Sequence, residues 1–129
     1  MPVVLDDARF PQVEVELAGT LSDGETRAFL DFVTACYARN IRWTMLVNAA
    51  SLERPSPTQR RMVSDVMNQD RAHKKTLMRG IAVVVSNPLI RGVVTAILWL
   101  ASPGYPIRMF DAVTPARAWL DGLRAQLSA

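Results

Sequence analysis

The sequence predicts an α/β domain: a mostly parallel sheet of about five strands with an N-terminal hairpin and four helices, in the order β-β-α-β-α-β-α-β-α. Three observations carry this. Residues 81–85, IAVVV, form an apolar run without alternation, the mark of a strand covered on both faces, and such strands belong mostly to parallel sheets. Ser86, Asn87 and Pro88 stop the run and open a helix, because a proline at the first helical position lacks only an N–H that would have had no intrahelical partner. Strand and helix patterns alternate along the rest of the chain, as crossover units require.

In chain order, residues 3–6 and 13–18 are short strands either side of DARFPQ, forming a hairpin at a sheet edge. VEVELAG alternates apolar and acidic residues, so one face of the second strand is wet. Glu14 and Glu16 point the same way there, and with no second constellation facing them they read as solvent-facing carboxylates, not an acid–base pair. Ser22-Asp-Gly-Glu25 is a capping box, opening a helix to near Asn40 whose Ala28, Phe29, Phe32, Val33, Cys36 and Tyr37 share one face. Residues 41–47 form the next strand, and the strand-helix-strand spacing implies a right-handed parallel crossover.

Residues 48–55 leave that strand at its C-terminal end, the edge where ligands gather in open parallel sheets. Ser56, Pro57 and Gln59 then repeat the N-terminal logic: cap, first-turn proline, capping box. The helix is expected to run to about Arg79. Gln59, Met62, Val63, Val66, Met67 and Leu77 face inward, and Arg60, Arg61, Arg71, Lys74, Lys75 and Arg79 outward, with Gly80 at the helix end. Ser102-Pro-Gly-Tyr-Pro106 is a tight turn, residues 106–110 the last strand, and Thr114-Pro115 caps a final helix with Trp119, Leu120, Leu123 and Leu127 inward. Gly122 inside it suggests a neighbour packed close.

The helix from Pro88 is apolar nearly all round. Wound at about 100° per residue, it puts Leu89, Val93, Ala96, Ile97 and Leu100 on the sheet, with Arg91, Thr95 and Ser102 opposite. Between them lies a second apolar flank, Ile90, Val94 and Leu98. Either neighbouring helices cover it or it is open to a partner or ligand; with Arg54, Arg60 and Arg61 it forms the candidate interaction surface, and a symmetric homodimer is the expected use. No membrane span is expected: Asn87-Pro88 and Arg91 interrupt the stretch, leaving an apolar run of ten from Gly92 against the roughly 20 residues a span needs.

Half of the 129 residues are hydrophobic, enough for the core of one domain. The N-terminus has no basic region followed by an apolar segment, so no signal peptide is expected and the cytoplasm is the default compartment. The single cysteine, Cys36, rules out an internal disulfide and falls on a core face. The one histidine, His73, has neither a carboxylate nor a second ligand beside it, so no metal site, cofactor or nucleophilic pairing is expected. Residues 1–53 hold four Arg against eight acids and residues 54–129 eleven Arg or Lys against four, so the halves carry about −4 and +7. Without interleaved aromatics or a recognition motif, the basic helix reads as a solvated face, and no nucleic acid is expected as a partner.

The element order resembles the STAS (SpoIIAA-like) superfamily of anti-sigma-factor antagonists, related to the CRAL-TRIO lipid-transfer fold. IRWTMLVNAASLERPS is similar to that family's strand and loop before its regulatory serine, and VSNPLIRGVVTAILWL to its fourth strand and following helix. The resemblance makes Ser56 the candidate regulatory phosphosite, although Arg54-Pro-Ser-Pro-Thr58 lacks the preceding acid and following glycine of the family motif, and Pro57 removes a donor. The alternative role for Ser56 is a plain N-cap. The resemblance implies a non-enzymatic regulatory domain acting through protein contacts; a carrier of an apolar ligand under residues 92–100 is the second reading, and binding of nucleic acid or an anionic surface through residues 57–79 the third.

Overall fold

The structure, a computed structural model, describes residues 3–101 and 104–128. Strands β1 (Val3–Asp6), β2 (Gln12–Leu17), β3 (Trp43–Asn48), β4 (Met78–Val84) and β5 (Ile107–Phe110) lie side by side in sequence order. β1 and β2 form the expected antiparallel pair, with Val4 opposite Glu16, and every later pairing is parallel. The helices are α1 (Asp23–Ala38), α2 (Pro57–Asn68), α3 (Arg71–Leu77), α4 (Pro88–Ala101) and α5 (Val113–Ser128).

The uninterrupted apolar run of β4 resolves into two alternating sets, because successive side chains leave a strand on opposite faces. Ile81 and Val83, with Met45 and Val47 of β3, join the larger core together with Phe29 and Val33 of α1, Val66 of α2 and Ile90 of α4. Ala82 and Val84, with Leu46, meet Ala116 and Leu120 of α5 on the other face. One helix therefore covers one face, and the crossover helices share the other.

Three helices start where the sequence places them. Ser22 Oγ accepts the Glu25 N–H at 3.0 Å, and the Glu25 carboxylate accepts the Ser22 N–H at 2.8 Å. Ser56 and Gln59 repeat the box on α2 at 3.1 and 3.2 Å. Ahead of Pro88, Asn87 Oδ1 accepts the Leu89 N–H at 2.9 Å, satisfying a first-turn donor.

The predicted single helix over residues 57–79 is two helices, so the described residues hold five and not four. The break falls at Gln69 and Asp70, where Asp70 takes φ +50°, a left-handed conformation that Asp tolerates better than most residues. β4 consequently begins at Met78, and Gly80 lies inside the strand instead of ending a helix. A Cβ on Gly80 would sit 2.5 Å from Leu123 Cδ1, so the glycine is what lets α5 close onto the sheet. Gly122 shows the converse: a Cβ there meets nothing within 4 Å, and the close approach expected at it is found at Gly80. Part of the turn predicted over residues 102–106 lies outside the described residues, as do the side chains of Leu100 and Leu127.

Candidate functional site

On the face carrying α1, α2 and α4 the core is not filled. A cavity of about 180 Å³ lies there, lined by side chains such as Leu30, Val33, Met45, Val83, Val94 and Leu98. Protein interiors hold few voids larger than a water molecule. An apolar void of roughly 150 Å³ stays dry and takes up benzene, so this one has the size and character of a small-ligand site.

Its polar groups fall at two ends, set by topology. α1 runs back along the parallel strands, which brings Tyr37 in its last turn to the N-terminal edge of the sheet. Lys74, just before β4, and Tyr105, just before β5, line the cavity at that same edge. Tyr37 and Tyr105 are hydrogen-bonded to one another through their phenols, and burial pushes both phenols up from the ordinary tyrosine range. At the C-terminal edge, Thr26, Glu53, Gln59 and Arg60 line the cavity from the starts of α1 and α2 and the loop before α2. Gln59 is committed there: its amide donates to the Leu21 carbonyl at 2.7 Å and to Asp23 Oδ1 at 3.1 Å. Glu53 accepts from the Thr20 hydroxyl.

The rotation of α4 differs from the predicted one. Ile90 is 1% exposed, Val93 is buried, and Val94, Ile97 and Leu98 line the cavity, whereas Leu89 is 63% and Trp99 82% exposed. The flank of Ile90, Val94 and Leu98, expected either to be covered by neighbouring helices or to be open to a partner or ligand, is therefore turned inward; Val93 and Ile97 are inward as expected, and Leu89 and Ala96 are not. Periodicity fixes a helix's rotation only where polar residues mark the wet face, and α4 offers few. Packing against distant elements decides instead: Ile90 joins the core formed with Phe29 and Val33 of α1 and Val66 of α2, and Ala101 is fully buried at the other end of the stripe. Of the basic residues grouped with that flank, Arg60 is half-buried at the cavity, while Arg54 and Arg61 are exposed.

Lys74 is the residue that reading by type misplaces. It was expected outward with the other cations of residues 57–79, yet it is 7% exposed, its ammonium donating to the Val66 carbonyl and lying 5.3 Å from the Tyr37 ring centre. Desolvation holds its pKa below the ordinary lysine value, with the Asp70 charge acting the other way.

The remaining candidates sit apart. Ser56 is half-buried and bound into its capping box. His73 is exposed, with Nε2 3.1 Å from Asn40 Oδ1. Cys36 is buried, and desolvation pushes its thiol up, away from the nucleophilic form. Glu14, expected to be solvent decoration, is held by Arg117 of α5 through two bonds of 2.7 Å, a partner 103 residues away that no local pattern announces. Among the described residues, no three His, Cys, Asp or Glu side chains gather as a metal site, and no helix is long and apolar enough to cross a membrane.

Against known proteins, a family model described as SpoIIAA-like matches residues 12–121. The fold is similar to that of an uncharacterized protein of the DUF3478 family from Shewanella loihica PV-4, itself described as having a SpoIIAA-like fold. The TM-score is 0.63 at 10% sequence identity, over 92% of this chain and 91% of that one. At that identity the likeness is one of architecture. Comparison with curated proteins gives no match.

Proposed function

We propose that this chain, which belongs to the SpoIIAA-like family, is a non-enzymatic domain that binds a small apolar ligand between its sheet and α1, α2 and α4. The observation that carries the reading is the 180 Å³ cavity, whose walls are apolar except at its two ends. Burial of apolar surface is the driving force such a site offers, and the polar ends set how a ligand lies in it. Ser56 enters this reading as the cap holding α2 over the cavity, not as a phosphosite.

Native mass spectrometry of freshly purified protein, followed by organic extraction, tests it. The expected result is an apolar species retained at one per chain and absent from a Val94→Phe variant that fills the space. An empty protein that also takes up no added 1-octanol refutes it.

A second reading, regulation through protein contacts, is favoured by the outer face of α4. Leu89, Ala96 and Trp99 form an exposed stripe there at helical spacing. The occupant proposed is a second copy of the chain, since one stripe on each protomer satisfies a two-fold contact. Sedimentation of wild type against Trp99→Asp tests it: a dimer converted to a folded monomer supports the contact, and a monomeric wild type at high concentration refutes it.

A further inference from the structure

The two ends of the cavity differ in how their charges are answered. At the C-terminal edge the cation Arg60 shares the lining with an acid, Glu53. At the N-terminal edge Lys74 has no direct ion pair: none of those among the described residues includes it, and the charge that acts on it, Asp70 four residues earlier, is exposed. An ammonium removed from water needs a counter-charge or a full set of acceptors. Lys74 has one carbonyl, of Val66, and the face of the Tyr37 ring, leaving donors of a three-donor group without a protein acceptor. Tyr37 and Tyr105 line the cavity at the same end; the bond between their phenols uses one O–H and leaves one for a ligand. A cation and two phenols closing one end of an apolar cavity are the recognition elements for an anionic head on an apolar chain.

We infer that the ligand is a single-chain amphiphile with an anionic head, the chemistry of a short- to medium-chain fatty acid, its carboxylate on Lys74 Nζ and its chain running along β3 and β4 under α4. This rests on the binding reading above and specifies its substrate class. Size limits the ligand to one chain: a cavity of about 180 Å³, somewhat larger than one that holds benzene, takes a single short alkyl chain and has no room for a second. Charge-assisted hydrogen bonds are shorter and stronger than neutral ones, so the head gives selectivity over an uncharged analogue of equal length.

The test is calorimetric titration of the full chain at neutral pH with octanoate and, separately, with 1-octanol. Wild type is expected to bind octanoate about tenfold more tightly than 1-octanol, the scale of one hydrogen bond to a charged group. Lys74→Met, which keeps the length and apolar stem of the side chain, is expected to lose that preference while still binding 1-octanol, and Arg60→Gln to keep it. Equal wild-type affinities, an unchanged preference in Lys74→Met, or loss of the preference in Arg60→Gln alone each overturn the inference and leave the binding reading standing. Failure of wild type to bind either compound overturns both. Should Lys74→Met fail to fold, the wild-type ratio decides by itself.

Discussion

Val83 and Val84 are neighbours in β4 that face opposite ways, Val83 onto the cavity and Val84 onto α5, and both are buried. The substitution Val→Ile adds one methylene to either without changing β-branching or strand preference. In a filled core an added methylene forces side chains off their rotamers and costs about 1–3 kcal/mol. At Val84, against Leu46 and Leu120, that cost is expected. At Val83 the methylene enters the 180 Å³ cavity and removes apolar surface from an unfilled space, a gain of about 0.8 kcal/mol. Val83→Ile is therefore expected to be stabilising and Val84→Ile destabilising, with a difference of about 2–4 kcal/mol. Equilibrium urea unfolding measures both, with the slopes compared to confirm that the denatured states are alike. If Val83→Ile destabilises as much as Val84→Ile, the cavity is closed in solution and the reasoning fails.

Ser56→Ala is expected to lower stability by about 1 kcal/mol through loss of the cap, and Ser56→Asp to be neutral or better; denaturant melts in which Ala is silent and Asp damaging would contradict the capping role. Gly80→Ala brings a methyl to 2.5 Å from Leu123 Cδ1 and is expected to cost about 1–3 kcal/mol, with Gly80→Ala/Leu123→Ala losing less than the sum of the single changes. Hydrogen bonding to Arg117 is the main cause holding the Glu14 carboxyl below its usual value of 4.5. A depressed folded-state pKa contributes stability present above that value and lost as pH falls through the lower, folded one. The stability gap between wild type and Arg117→Ala, read from urea melts across that acid window, is thus expected to narrow as pH falls; a gap constant with pH would deny the pair its role.

What was legible in the sequence was whatever a local pattern encodes. Ser22 with Glu25, Ser56 with Gln59, and Asn87 with Pro88 place three helix starts because each cap is satisfied within three residues. The β-branched run of residues 81–85 marks the central strand because both faces of the sheet are covered. What failed depends on partners distant in sequence. The rotation of α4 depends on its packing against α1 and α2, far back in the chain, and its nearly unbroken apolar surface gave periodicity nothing to hold. The break at Asp70 needs a left-handed residue where helix propensity raises no objection. Lys74 was assigned outward by charge, and the break at Asp70 separates it from the helical phase of α2. The cavity had no sequence signature, since a void is a property of how α1, α2 and α4 meet over β3 and β4.

The central claim is that the space between the sheet and α4 takes an apolar ligand. The most direct measurement is calorimetric titration of 1-octanol into wild type and Val94→Phe at several temperatures, with circular dichroism confirming that both are folded. Saturable 1:1 binding with a negative heat-capacity change, abolished by Val94→Phe, is the result predicted, because burying an alkyl chain carries that signature and the phenyl ring occupies the same space. No binding at any temperature, or binding that Val94→Phe leaves intact, would contradict it.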